Sequence, residues 1–331
     1  MRVLFIFLDG IGLGEDNPET NPLARAKMPN LNALLGGRSL VRDSAPFDGE
    51  HASLIAIDAG VGVDGLPQSA TGQAMLLTGK NISAELGYHY GPKPNPEVAA
   101  YLEGETLFSK CVTAGKRAAL LNAYPPRYFQ GIDSGKRLYS SIPLAVTNAG
   151  LELFKYEDLV AGRGLSADFT GEGWRTMLGF PDAPVMEARE AGRKLISLAM
   201  DYDFSFFEYW ASDYAGHKQQ METAVGLMEA CDGGLGGMVE EEGRRLKVEG
   251  QRLEVEERGK KKVESGEWKD ELLVLVTSDH GNMEDVSTRK HTDADVPLIV
   301  LGSKSAREEF MRGMTDLTHV APGVWRMVES F

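Results

Sequence analysis

Cysteine is nearly absent from this 331-residue chain, which has two, Cys111 and Cys231. Neither lies in a C-x-x-C pair, so a disulfide framework is excluded and both read as small buried apolar residues in a reducing compartment. Long hydrophobic runs are absent too. The apolar stretch of MRVLFIFLDG is far too short for a membrane span, and it meets Asp9 and Gly10 without a small-residue cleavage site. It reads as the first core strand of a cytoplasmic protein with no membrane partner. Positive charge is also scarce: 35 Lys and Arg stand against 49 Asp and Glu, a net charge of -14. A nucleic-acid partner is therefore not expected, although a local basic pocket for one small phosphate would be compatible. No fixed-period repeat is found. What is present is ordinary for a globular protein, 42% hydrophobic and 25% charged, and the length suits either two domains or one large domain with an insertion.

Three short apolar runs have the composition of buried parallel strands: Val3 to Leu8, Leu272 to Val276 and Pro297 to Gly302. Phe204 to Trp210 and Ala118 to Tyr124 are read as further strands. Helical patterns span Met28 to Leu35, Thr106 to Ala114, Met186 to Met200 and Gln219 to Val239. Alternating strands and helices predict an α/β fold with helices on both faces of a mostly parallel sheet, and in such sheets ligands collect at the carboxyl ends of strands. Two segments break the pattern. Pro125 to Pro184 is rich in Gly, Pro and polar residues and reads as a small inserted lid (125–184), so that the core comprises 1–124 and 185–331. Residues 240–271 are almost all Glu, Lys and Arg with scattered Val and Leu, which reads as a charged surface insertion, a solvated helix, hairpin or loop, within that core.

The stretch VTSDHGN ends a buried strand in Asp279 and His280, polar groups that are costly at the mouth of a core strand unless something pairs with them. A metal ion is the commonest partner for a carboxylate beside an imidazole. More ligands lie elsewhere. ASDYAGHKQQ follows the Phe204 strand and sets Asp213 four residues before His217, on one face if helical, and RKHTDADVPLIV places His291 before another core strand. Each fragment alone is weak, and a lone His291 is as readily a surface or capping histidine. With Asp9, these fragments offer three carboxylates and three imidazoles near predicted strand ends, a set that suits two ions.

In GLPQSATGQAMLLTGKN, Ser69 lies between a Gly-Leu-Pro turn and the apolar helical stretch Ala74 to Thr78. That places its hydroxyl near a helix N-terminus, where backbone N–H groups and the dipole favour an anion. An ordinary capping serine fits the same fragment. Beside two divalent ions, however, the hydroxyl would have a lowered pKa and serve as a nucleophile.

Asp9-Gly10, MPNLNALL, GLPQSATGQ, SDYAGH, VTSDHGNMED and HTDADVPLI occur in the order seen in the alkaline phosphatase superfamily. The chain most resembles its metalloenzyme branch, that of cofactor-independent phosphoglycerate mutases and phosphopentomutases. The resemblance covers roughly Met1 to Lys80 and Phe204 to Val300, and DLTHVAPGVW is similar to a closing helix of that branch. It implies an alkaline-phosphatase-like fold and two divalent ions, manganese or zinc. Asp213, His217 and His291 would hold one ion; Asp9, Asp279, His280 and the Ser69 oxygen would hold the other. Ser69 would then carry a phosphoryl group taken from a small phosphorylated metabolite. Thr71 is a rival nucleophile whose spacing from the Gly-Leu-Pro turn fits less well.

Departures from the family pattern are specific. Gln73 stands where the phosphoglycerate mutases have a histidine four residues after the serine, and their long intervening domain with its substrate-binding arginines is missing. Gln73, His89, Arg117, Arg127, Lys136 and Arg137 are the candidate substrate contacts, while His51 and His319 match nothing in the pattern. A sulfatase is excluded because neither cysteine begins a Cys-x-Pro-x-Arg motif. The expectation is a two-metal phosphoester hydrolase with a phosphoserine intermediate. The alternatives are a phosphomutase and a non-catalytic binding protein on the same scaffold.

Overall fold

The structure, a computed structural model, describes residues 1–256 and 271–329, and the side chains of 246–256 are not described. Among the described residues the strands are β1 (Arg2–Leu8), β2 (Phe47–Asp48), β3 (Ala52–Ile57), β4 (Ala118–Leu120), β5 (Ala123–Tyr124), β6 (Phe154–Lys155), β7 (Phe204–Tyr209), β8 (Leu272–Thr277) and β9 (Val296–Leu301). Helices α1 (Pro22–Arg25) and α2 (Pro29–Leu34) follow β1; α3 (Ser69–Thr78), α4 (Ile82–Leu86), α5 (Pro96–Tyr101) and α6 (Leu107–Thr113) lie between β3 and β4. Helices α7 (Pro126–Asp133), α8 (Ser141–Asn148), α9 (Tyr156–Val160), α10 (Glu172–Thr176) and α11 (Ala188–Ala199) precede β7. Then come α12 (Ala211–His217), α13 (Met221–Glu256), α14 (Lys304–Met311) and α15 (Val320–Glu329).

Seven strands form one sheet in the order β2-β3-β9-β8-β1-β7-β4. At its centre β1 pairs in parallel with β7 and β8, and all three are predominantly apolar and buried because both faces are covered. Val3, Phe5 and Phe7 point into one core with α3, α6, α8 and α15. Leu4, Ile6 and Leu8 point into the other, with α2, α11 and α13. The α/β architecture with helices on both faces is that expected from the sequence. Among the described residues no helix is long and apolar enough to cross a membrane.

Three sequence readings require correction. First, the sheet is mixed, and β9, read as a parallel strand, runs antiparallel to both β8 and β3. A parallel return from β8 needs a long crossover, usually a helix. The 18 residues between Thr277 and Val296 instead double back through a short antiparallel bridge, Gly281 to Thr292. Strand β3, a short apolar run that the sequence reading passed over, lies antiparallel to β9 and so runs with β8. Second, Ala118 to Tyr124 is not one strand. The Asn122 amide donates to Glu208 O at 2.8 Å and accepts from Glu208 N at 2.7 Å, ending the main-sheet ladder, and β5 departs to pair with β6. Third, α13 does not stop at Val239 but continues to Glu256. Its crossing with α11 is backbone-close: a Cβ on Gly192 would lie 1.8 Å from Gly234 O. Of the charged segment 240–271, residues 257–270 fall outside the described residues.

Residues 125–184 are not uniform. Tyr128 of α7 and Ile142, Ala145 and Val146 of α8 are buried in the main core, whereas Leu159, Trp174 and Ala183 build a separate small apolar cluster with Ala123. The Ser141 hydroxyl donates to Ala70 O at 3.0 Å, which ties α8 to the first turn of α3.

Candidate metal centre and nucleophile

The carboxyl edge of the sheet gathers the polar residues. Asp9 follows β1, Asp279 and His280 follow β8, and Asp213 and His217 lie on α12, which begins two residues after β7. Because β9 is antiparallel, His291, five residues before it, also lies at this edge. Helix α3 starts here as well, after the loop from β3, with Ser69 its first residue and Gln68 as N-cap.

These groups converge. Asp9, Asp279 and His280 offer ligand atoms within 4.8 Å of one another, and so do Asp213, His280 and His291. His280 Nε2 lies 3.0 Å from Ser69 Oγ, 3.5 Å from Asp9 and 3.6 Å from Asp279. His217 Nε2 is 3.3 Å from Asp213 Oδ2 and 3.3 Å from His291 Nε2. All seven candidate ligands, Ser69 included, therefore meet in one place, with His280 shared between two triads.

The hydrogen bonds around these groups show whether they suit a cation. Each imidazole is oriented through Nδ1 by a backbone carbonyl: His217 by Arg289 O at 2.7 Å, His291 by Pro67 O at 2.7 Å, and His280 by Gly281 O at 3.3 Å. Nδ1 then carries the proton and Nε2 presents a lone pair. The His217 and His291 Nε2 atoms would face each other lone pair to lone pair, a contact that a cation between them relieves. Asp9 Oδ1 and Asp279 Oδ2 are buried without a hydrogen-bond partner. Burial, then the Asp279 and Asp213 charges, raises the Asp9 pKa well above the carboxylate range. Burial and Asp213 do the same to Asp279, partly offset by the Gly10 N–H and the Gln73 amide. Burial pushes His280 down to about 3, with the His291 charge adding to it. Burial also acts on Asp213, but its His217 hydrogen bond and the neighbouring imidazoles outweigh it and lower the pKa. Desolvated carboxylates aimed at imidazole lone pairs fit divalent metal ions.

Several supporting residues escaped the sequence reading. Asn282 Nδ2 donates to Asp213 Oδ1 at 2.7 Å, and Glu284 accepts from Gly12 N at 2.9 Å and Asn282 N at 2.7 Å. Ser278 Oγ accepts from Ile11 N at 2.8 Å, strapping the loop after β8 to the loop after β1. Close approach explains two glycines. A Cβ on Gly10 (φ +68°) would lie 2.6 Å from Asp213 Oδ1, and one on Gly72 would lie 2.9 Å from the Asp279 Cβ. Asn282 and Glu284 directly follow the Asp279-His280 pair in VTSDHGNMED, the one visible signal for them.

The remaining candidates divide. Thr71, the rival nucleophile, has its hydroxyl engaged with Gln68 O at 3.2 Å and with the Tyr90 backbone. Gln73 is buried on the next turn of α3 beside Asp279, so it touches a ligand rather than an open pocket. Arg117 is withdrawn as a substrate contact: it precedes β4 at the amino edge, where its carbonyl accepts from Asp203 N at 2.9 Å, at the far end of the sheet. His89 has both ring nitrogens engaged within the chain. Its Nε2 donates to Val63 O at 3.2 Å and its Nδ1 accepts from Ser83 Oγ at 3.1 Å, leaving no ring nitrogen for a ligand. Arg127 and Lys136 are exposed on α7 and the turn after it, and Arg137 lies over the Tyr128 ring at 4.6 Å. His51 is exposed beside Glu50, and His319 beside Asp316.

The chain is similar to known proteins in sequence and in fold. A sequence profile of the Metalloenzyme superfamily matches residues 262–328. A stretch of 128 residues, 36% of this chain, is 26% identical to the 2,3-bisphosphoglycerate-independent phosphoglycerate mutase of Mycoplasmopsis synoviae, of which it covers 20%. The chain thus spans about a fifth of the curated relative it matches. Among solved structures, the alkaline phosphatase of the Antarctic bacterium TAB5 superposes with a TM-score of 0.52 at 12% identity, covering 99% of this chain and 98% of that one. The Pyrococcus horikoshii protein PH0037 does so at 0.52 and 14% identity, covering 100% and 97%. The fold is that of the alkaline-phosphatase-like metalloenzymes, and the resemblance read from the sequence motifs is borne out.

Proposed function

We propose that this chain is a metal-dependent phosphoester hydrolase that acts through a phosphoserine at Ser69 on a small phosphorylated metabolite. The observation that carries the reading is the position of the Ser69 hydroxyl, at the first residue of a buried helix and 3.0 Å from His280 Nε2, in the same pocket as the two ligand triads. Asp213, His217 and His291 would hold one divalent ion, and Asp9, Asp279, His280 and Ser69 the other. Imidazole with carboxylate favours manganese or zinc over magnesium. Bound there, such ions would neutralise phosphoryl charge and lower the pKa of a hydroxyl.

The chain's own residues do the rest. The α3 N-terminus directs its free backbone N–H groups and positive dipole end at the incoming phosphate. Ser69 Oγ attacks phosphorus as the bond to the leaving alcohol breaks, and the serine proton is taken up overall by that alcohol. Water then attacks the phosphoserine, the bond from phosphorus to Oγ breaks, and free serine and inorganic phosphate result. Arg137 is the candidate among the basic residues of α7 and its following turn to meet substrate from the side of residues 125–184.

Rapid quenching of the metal-loaded chain with a good phosphomonoester should trap phosphate on Ser69. Turnover in isotopically labelled water should put the label into released phosphate at the rate of substrate loss. Isomerised substrate without phosphate release would replace the hydrolase reading with the phosphomutase one, and labelling at Thr71 would overturn the choice of nucleophile.

A further inference from the structure

Beside the nucleophile lies a cleft of about 390 Å³ lined by Asp64, Leu66, Gln68, Tyr88, His89 and Tyr90. It is continuous with the site in two ways. The 64–68 loop runs directly into Ser69, and its Pro67 carbonyl holds His291 at 2.7 Å. Across the cleft, a Cβ on Gly91 would come within 3.2 Å of the Ser69 nitrogen, so the 88–91 loop rests on the start of α3. An alcohol leaving from a phosphoryl group at Ser69 would have this cleft beside it.

The chemistry of the walls is selective. Among the described residues that line the cleft, none is Lys or Arg. His89 has both ring nitrogens engaged, and burial lowers its pKa, which disfavours a charged ring in this wall. The lysines that bracket residues 81–92 in sequence are engaged elsewhere: Lys80 pairs with Glu105 at 2.9 Å and Lys93 donates to Leu138 O at 2.8 Å. Negative charge is close by, with Asp64 in the wall and Glu97 accepting from the Tyr88 hydroxyl at 3.0 Å. Tyr88 and Tyr90 meet edge to face at 6.2 Å, and Tyr88 is 40% exposed. Carboxylate with aromatic rings and no cation attracts a positively charged group and repels a second phosphate or a carboxylate.

We propose that this cleft receives the leaving group and selects phosphoesters of ammonium-bearing alcohols, in which the amine or quaternary nitrogen sits against Tyr88, Tyr90 and Asp64. The proposal rests on the phosphoester reading of Ser69. Transfer to Ser69 Oγ breaks the bond between phosphorus and the alcohol oxygen, and the cationic alcohol departs carrying the serine proton.

The test compares choline phosphate with its uncharged isostere, 3,3-dimethylbutyl phosphate, on the full chain with added manganese or zinc. The kcat/KM for choline phosphate should be at least about tenfold higher, and that for 3-phosphoglycerate should be below both. Asp64→Asn and Tyr88→Leu, both at exposed positions, should move the choline-to-isostere ratio toward one. Choline binding to the full chain, followed by ligand-observed NMR, needs no turnover and should weaken in both variants. A ratio of one or less, a preference for 3-phosphoglycerate, or choline binding indifferent to both substitutions would overturn the proposal. If p-nitrophenyl phosphate were not cleaved at all, the phosphoester reading would fall instead, and choline binding would still decide the character of the cleft.

Discussion

Two buried charged clusters sit at opposite ends of the hydrogen-bond ledger. Arg307 on α14 is completely buried, and every direction of its guanidinium is matched: Nε donates to Gly302 O at 3.1 Å, one terminal nitrogen to Asp48 at 2.7 Å and to Ser53, and the other to Gly49 O at 2.8 Å and Glu50 O at 3.0 Å. At the carboxyl edge of the sheet, Asp9 Oδ1 and Asp279 Oδ2 have no hydrogen-bond partner and imidazole nitrogens of His217 and His291 face one another. Burial costs both clusters desolvation, but only the first recovers it within the chain. A saturated cluster pins β2 and β3 to α14 and needs nothing further. An unsaturated one holds its place because the surrounding fold forces it, and it is the one poised to bind.

The comparison is most sharply tested by turnover. Ser69→Ala should reduce phosphoester hydrolysis by about three orders of magnitude or more, while binding of the ion at Asp213, measured by calorimetry, persists. Retained activity would remove the unsaturated cluster's claim to chemistry. Next in size, Arg307→Ala should cost about 3–5 kcal/mol in denaturant unfolding, because it empties a fully buried side-chain site and leaves three carbonyls without their donor; a loss under about 1 kcal/mol would show that the saturated cluster is not structural.

Asp279→Asn should act in the opposite direction on the metal-free chain. Removing a buried charge with an unpartnered oxygen should raise stability by on the order of 1–2 kcal/mol, while abolishing the thermal shift that added manganese or zinc gives the unsubstituted chain. A destabilised metal-free variant would mean that Asp279 is satisfied after all.

An effect of comparable size, visible only as pH changes, concerns Glu208 on β7, which accepts from the Tyr124 hydroxyl at 3.2 Å. Burial raises its pKa from 4.5 to about 7. The folded state thus binds the proton more tightly than the unfolded one, so this contribution is fully present below about pH 4.5 and is lost as pH rises through about 7. Glu208→Gln should flatten that part of the stability profile and leave the chain more stable at pH 8, by roughly 1–3 kcal/mol. An unchanged slope between pH 5 and 8 would contradict the assignment.

Much of the site was legible because its ligands follow strands that announce themselves. Val3 to Leu8 and Leu272 to Val276 are apolar on both faces, so Asp9, Asp279 and His280 stood out as polar groups at the mouths of core strands. Asp213 and His217 showed as a pair one helical turn apart. The supporting residues were illegible for a plain reason: Asn282 orients Asp213 across 69 residues of sequence, and Ser278 straps two loops 267 residues apart. Arg117 was misread because a basic side chain announces its type but not its place in the sheet.

What the sequence determined by itself was residue type and local period: which stretches are buried, which carboxylates and imidazoles stand at their ends, and which serine precedes an apolar helix. Only the tertiary structure decided that these meet. The direction of β9 is the deciding case. Had it run parallel to β8, as its apolar composition suggested, the residue that precedes it would lie at the amino edge, a strand's length from Asp279. Side-chain burial is the same in either direction, so composition cannot choose between them. The choice is made by the connection, which doubles back without a crossover helix and sets His291 against His280, their rings stacked at 3.8 Å.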